Sequence, residues 1–269
     1  MGADAAPDLT GQVALVTGAG RGAGRRIAQG LAERGAAVAL TARSVEELDE
    51  VAADIEEAGG QALVAPGDVT DRLAVEAILA RVEGGLGPID LLVNGVGAGA
   101  DGEGGFIATE PDDWWRQVEA ELRGTALCSQ LVLRRMAPRL HGRIVNVVGD
   151  QGRVPPPGLS ARHTADAGVL RLTEALAREG RESGVQAFAI KREPFLGAAH
   201  EDGPAAAART LADIAGGRTD GLSGRLIDPA GALQAREPTV QPLAGSAPQP
   251  QVESDPGAWR PPAGIGAQA

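Results

Sequence analysis

Short, largely apolar runs alternate with longer segments of helical periodicity along most of this chain. The runs are Val13–Val16, Ala36–Thr41, Gln61–Ala65, Ile89–Val93, Arg143–Val148, Val185–Ile190 and Gly224–Asp228. Runs this short and this continuous fit strands buried on both faces better than helices. Between them, apolar residues recur every three or four positions. Ile27 and Leu31 mark one helix, and a second follows Ser44, whose N-cap role is supported by Glu47 three residues on, and runs through Ile55. Leu73, Val75, Ile78, Leu79 and Val82 mark a third. A long helical region is expected over Asp112–Arg139, with Trp114, Val118, Leu122, Ala126 and Leu131 inward. Two more follow, over Leu159–Arg181 and Ala205–Ala215. Strand-helix alternation of this kind predicts right-handed βαβ units and an α/β fold, with about seven parallel strands covered by helices on both faces.

The pattern fades at both ends. Residues 1–10 read as a flexible arm, 11–235 as one domain, and 236–269 as a Pro/Gly/Ala-rich tail with too few large apolar residues to build a core. The 269 residues suffice for one α/β domain, and no apolar run approaches the ~20 residues that span a bilayer. The N-terminus lacks the basic start and apolar stretch of a secretory signal. A net charge of −11 argues against nucleic acid or an anionic membrane as partner. Cys128 is the single cysteine, so it forms no internal disulfide and reads as buried filler or a free thiol. A cytoplasmic location is the expectation. No metal-ligand spacing is seen, and no metal is expected.

The stretch that carries chemistry follows the first strand. Thr17-Gly18-Ala19-Gly20-Arg21-Gly22-Ala23-Gly24 lies between that strand and a helix. Glycines let the backbone turn tightly and approach a pyrophosphate, and a helix N-terminus offers unpaired N–H groups and a positive dipole. Arg43, just past the second strand, can pair with a ribose 2′-phosphate where an acidic residue would repel it; it can equally be a solvated residue at a helix start. Arg21 could assist it.

Several motifs, in order, make the chain resemble the short-chain dehydrogenase/reductase family over about residues 10–233. Thr17–Gly24 matches the family's TGxxxGxG loop. Asp68-Val69-Thr70-Asp71 matches its adenine-contacting motif. Asn94-Gly95-Val96-Gly97 looks like a variant of its Asn-Asn-Ala-Gly motif, and Leu122-Arg123-Gly124 sits at the end of its NLxG motif. The resemblance implies a Rossmann-type doubly wound sheet and a dinucleotide, NADP(H) rather than NAD(H) given Arg43. Thr17, Gly18, Gly20, Arg21, Gly22, Ala23, Gly24, Arg43, Asp68, Val69, Asn94 and Gly95 are its expected contacts. It also implies a small-molecule substrate and a homodimer or homotetramer, formed by this chain alone or with an active homologue.

The resemblance stops at the family's catalytic Asn, Ser, Tyr and Lys. The Tyr and Lys positions align with Arg162 and Asp166, the Ser position with Gly149 and the Asn position with Glu121. The chain has no tyrosine, and Lys191 is its only lysine. Arginine stays protonated and is a poor acid. Arg162, Asp166, Glu121 and Asp150 are therefore the candidate catalytic residues, with Arg162 and Asp166 spaced for an ion pair on one helix face. Two readings stay open. One is a biosynthetic enzyme that keeps the dinucleotide site and uses other chemistry: hydride transfer to a quinone-like acceptor, or non-redox cyclisation, dehydration or isomerisation. The other is an inactive homologue serving as dinucleotide sensor or scaffold subunit. An ordinary carbonyl reductase is disfavoured.

Overall fold

The computed structural model describes residues 7–95, 106–149, 158–196 and 203–229, all within the unit Met1–Gln234. The expected tail and Asp150 lie outside the described residues.

Seven strands form one parallel sheet: β1 (Val13–Thr17), β2 (Ala37–Thr41), β3 (Gln61–Val64), β4 (Leu91–Asn94), β5 (Gly142–Val148), β6 (Val185–Lys191) and β7 (Leu226–Ile227), in the order β3-β2-β1-β4-β5-β6-β7. The apolar runs became strands because both sheet faces are covered. Alternate residues of β1 serve opposite cores. Ala14 and Val16 pack toward α1 (Gly22–Ala32), α2 (Val45–Glu57) and α7 (Gly203–Ala215). Val13 and Leu15 pack toward α3 (Arg72–Gly85), α5 (Gly124–Met136) and α6 (Ser160–Glu179). This is the doubly wound Rossmann-type architecture.

Local signals held where they depend on near neighbours. The Ser44 hydroxyl accepts from the Glu47 N–H at 3.2 Å and starts α2. Asp71 likewise caps α3 through the Leu73 N–H at 2.9 Å. Three expectations need correction. Residues 7–10 are docked and not a loose arm: Leu9 is buried and its N–H bonds the Arg34 carbonyl at 2.8 Å. Leu73 is 73% exposed, because the inward stripe of α3 runs through Val75, Ile78, Leu79 and Val82. The long helix is not uniform either. α4 (Pro111–Val118) passes into a π-helical turn, Glu119–Arg123, before α5. Such a turn inserts an extra residue and re-aims the side chains on it. Here it buries Glu121.

Among the described residues no helix is long and apolar enough to cross a membrane, and no cluster of His, Cys, Asp or Glu is arranged to hold a metal ion. Burial pushes the Cys128 thiol up to about 12, which suits filler better than a nucleophile.

Candidate functional site

A cavity of about 770 Å³ opens at the carboxyl ends of the strands. It sits beside the β1–β4 junction, where strand order reverses and two loops diverge to leave a crevice. One end is built from backbone. Gly18, Gly20, Arg21, Gly22 and Ala23 line it, and Arg21 at the N-cap of α1 makes no side-chain capping bond to the first-turn N–H groups. That leaves donors and helix dipole available to an anion. A Cβ on Gly24 would collide with the Gly18 carbonyl oxygen, and one on Gly95 would lie 2.7 Å from the Thr17 oxygen. Backbone-to-backbone approach therefore shapes the loop.

Arg43, Asp68, Val69 and Gly95 line the same cavity. The Asp68 carboxyl is held below its ordinary value chiefly by the Thr70 N–H at 2.9 Å, helped by the Thr70 hydroxyl and by Arg43 and Arg123. Three expected cofactor contacts do not line it. Thr17 is buried. Gly24 packs beneath Gly18 as a spacer. Asn94 is drawn into the sheet: its Nδ2 donates to Ser129 Oγ at 3.0 Å and to Asn146 Oδ1 at 2.8 Å, and Asn146 donates onward to Thr173 Oγ1 at 2.8 Å. Through Nδ2 its side chain ties β4 and β5 to α5 and α6, and it does not line the cavity.

At the opposite end the cavity meets charge. Arg162 and Arg192 line it, while Glu121 and Asp166 stand behind them, each side chain 3% exposed. The expected same-helix pair is not what forms. Arg162 Nε lies 3.3 Å from Glu121 Oε1, and Asp166 Oδ1 accepts from Arg192 Nη2 at 3.2 Å. Asp166 Oδ2 takes the Gly149 N–H at 3.0 Å. Asp166 faces inward toward the end of β5, which is why it finds Arg192 and not its helical neighbour. Arg192 escaped sequence reasoning; the available signal was a cation directly after a buried strand. Arg116, Glu119 and Glu47 also line the cavity and were not singled out for it.

Glu121 is electrostatically unusual. Burial, with a contribution from the Asp166 charge, outweighs Arg192 and Arg162 and raises its carboxyl to about 7. Between the ordinary value of 4.5 and about 7 the folded state holds a proton that the unfolded state has lost, so stability falls as pH rises through that window. Glu121→Gln is expected to match the parent near pH 5 and to exceed it by on the order of 2–3 kcal/mol near pH 8 in urea unfolding. Equal stability at both pH values would refute this.

The comparisons agree with this architecture. The family model described as short chain dehydrogenase matches residues 12–198. A short chain dehydrogenase of Pseudocercospora fijiensis is 34% identical over 185 residues, 68% of this chain but only 59% of that protein's length. The gluconate 5-dehydrogenase of Gluconobacter oxydans is 36% identical over 178 residues, 66% of this chain and 69% of the relative. Among solved structures, a gluconate 5-dehydrogenase from Burkholderia cenocepacia in complex with NADP and tartrate superposes with a TM-score of 0.71 at 28% identity, covering 82% of this chain and 94% of that one. A Rossmann-type sheet, a glycine loop at its switch point and this span of family similarity lead to one conclusion: the chain belongs to the short-chain dehydrogenase family, an oxidoreductase family.

Proposed function

We propose that this protein binds NADP(H) in the cavity and acts on a small molecule with a proton-transfer end rebuilt from charged residues. The observation that carries the first half is the backbone cradle, with Arg21 and Arg43 at its rim. The group fits the residues present. First-turn N–H groups of α1 would face the pyrophosphate, Arg43 a 2′-phosphate and Asp68–Val69 the adenine. When bound, NADPH supplies a hydride. The chain's own part is to seat it, exclude water and offer charge at the far end.

The second half is supported by composition and geometry together. No tyrosine exists in the chain, and the residues at the far end are Gly149, Arg162, Asp166, Glu121 and Arg192. Fixed guanidinium charge stabilises developing negative charge on an oxygen without transferring a proton. That suits an acceptor whose product oxygens are stable as anions, such as a quinone, or a non-redox rearrangement through an enolate. A second reading, an inactive sensor or scaffold subunit, draws on one observation: the Asp166 carboxylate already occupies the Gly149 N–H.

Fluorescence titration tests the cofactor assignment. NADPH is expected to saturate one site and to bind more tightly than NADH. Arg43→Ala should weaken NADPH by roughly 10- to 100-fold and leave NADH nearly unchanged. Equal loss for both dinucleotides, or no saturable NADPH binding by the parent, would refute the assignment.

A further inference from the structure

Within the dinucleotide reading above, on which this rests, we infer that Glu47 is a second determinant of dinucleotide choice: its carboxylate, seated in the space that Gly20 leaves, accepts from a ribose hydroxyl of the adenosine end and opposes a 2′-phosphate there. The preference for NADP(H) that Arg43 confers is therefore partial, and NADH stays within reach of the site.

Glu47 stands in the first turn of α2, three residues after the cap Ser44. A glutamate at this place commonly completes a capping box by turning its carboxylate back onto the cap's own N–H. That second bond is not made. Among the described residues the Glu47 carboxylate has no hydrogen bond and no ion pair, and the Ser44 hydroxyl donates to the exposed Glu46 at 3.0 Å. The Glu47 side chain lies instead against the glycine loop. A Cβ on Gly20 would come 2.9 Å from Glu47 Cβ and 2.7 Å from its Oε2. Oε2 could swing aside; Cβ is fixed to the helix backbone and could not. Gly20 is not among the glycines of positive φ, so its backbone conformation does not call for glycine; the neighbour that a side chain there would strike is Glu47. Half-buried, Glu47 lines the same cavity as Gly20, Arg21 and Arg43.

The chemistry follows from what each group can exchange. An ionised carboxylate accepts hydrogen bonds and donates none. The ribose diol of NAD(H) supplies O–H donors, and such bonds to a carboxylate are short and charge-assisted. A phosphate on the 2′ oxygen replaces one donor by roughly −1.5 to −2 charges. Asp68, the other carboxylate at this end of the cavity, already accepts from the Thr70 N–H at 2.9 Å and the Thr70 hydroxyl at 2.8 Å. Glu47 has both oxygens to offer. Arg43, four residues earlier, attracts a 2′-phosphate that Glu47 repels. Selectivity is a difference between two affinities, so a repulsive group sets it as much as an attractive one does. Arg43 is exposed and Glu47 half-buried, so salt screens the opposition.

Adenosine 5′-diphosphate and its 2′-phosphorylated form test this end of the cavity without engaging the far end, and 2′-deoxy-ADP serves as the control for the hydroxyl. All are titrated calorimetrically into the full chain. Glu47→Gln is expected to tighten the 2′-phosphorylated nucleotide by about three- to tenfold, and the gain should shrink in about 0.5 M salt. Glu47→Ala should weaken ADP by about fivefold or more. The parent should prefer ADP to 2′-deoxy-ADP by about the same factor, and Glu47→Ala should bind the two alike. Glu47→Gln should unfold at the parent's temperature, since it breaks no side-chain contact within the fold. An equal change for ADP and its 2′-phosphorylated form, no change for either, or a parent that does not distinguish ADP from 2′-deoxy-ADP would overturn the role of Glu47 and leave the dinucleotide reading standing. No saturable binding of any of these nucleotides to the parent would overturn that reading, and the role of Glu47 with it.

Discussion

Asp166→Ala is expected to destabilise the fold by about 3–5 kcal/mol, the largest effect of any single change at the site. Asp166 is 2% exposed and holds two groups, Arg192 Nη2 at 3.2 Å and the Gly149 N–H at 3.0 Å. Its removal leaves a mostly buried guanidinium beside Glu121 and takes an acceptor from the backbone at the end of β5. Desolvation makes the unpaired cation far more costly than the pair was favourable. Urea unfolding at pH 7 reads the loss directly. Asp166→Asn keeps an acceptor for Gly149 and should fall between the parent and the alanine variant. A loss under about 1 kcal/mol would mean that the charges are a tolerated polar patch. The same geometry explains Gly149. A Cβ there would lie 2.8 Å from Asp166 Oδ2, so a serine at this position competes with the carboxylate. Asp166→Lys would likewise set a third cation against Arg192 and Arg162.

Gly24→Ala is expected to damage the cradle more than any charge change does. The added methyl would enter the space of the Gly18 carbonyl, which is backbone and gives way only if the loop moves. The strain should cost roughly 1–3 kcal/mol of stability or more. The displaced loop should weaken NADPH by at least about tenfold, because first-turn N–H groups recognise phosphate only when correctly aimed. Thermal unfolding with and without NADPH separates the two effects: the variant should lose much of the ligand-induced rise in Tm. A variant that folds and binds like the parent would show that Gly24 is not a spacer.

The sheet and the cradle were readable for a common reason: both depend on local sequence. Strands buried on both faces appear as uninterrupted apolar runs, and a tight phosphate turn demands glycines at fixed offsets. Ser44 and Asp71 capped their helices for the same reason. The pairing of charges was not readable. Arg162 and Asp166 are four residues apart and invite an ion pair, yet the partners that form come from different elements. Glu121 reaches Arg162 because a π turn rotates it inward, and Asp166 reaches Arg192 across 26 residues of sequence. Apolar periodicity carries no mark of an inserted π turn. Asn94 differs in another way: its motif pointed to the cofactor, whereas its Nδ2 donates to Ser129 and Asn146 within the sheet. Glu121, Arg162 and Asp166 thus lie together, but not in the pairing that helix geometry suggested.

We propose a dinucleotide cavity that has kept its phosphate end and exchanged its proton donor for fixed positive charge. Single-turnover oxidation of bound NADPH tests it most directly, with an ortho-quinone and an unactivated ketone presented in parallel to the parent and to Arg162→Ala. The account predicts quinone reduction that slows by roughly tenfold or more in Arg162→Ala, and no detectable ketone reduction by either protein. Ketone reduction at an ordinary rate that survives Arg162→Ala would contradict it.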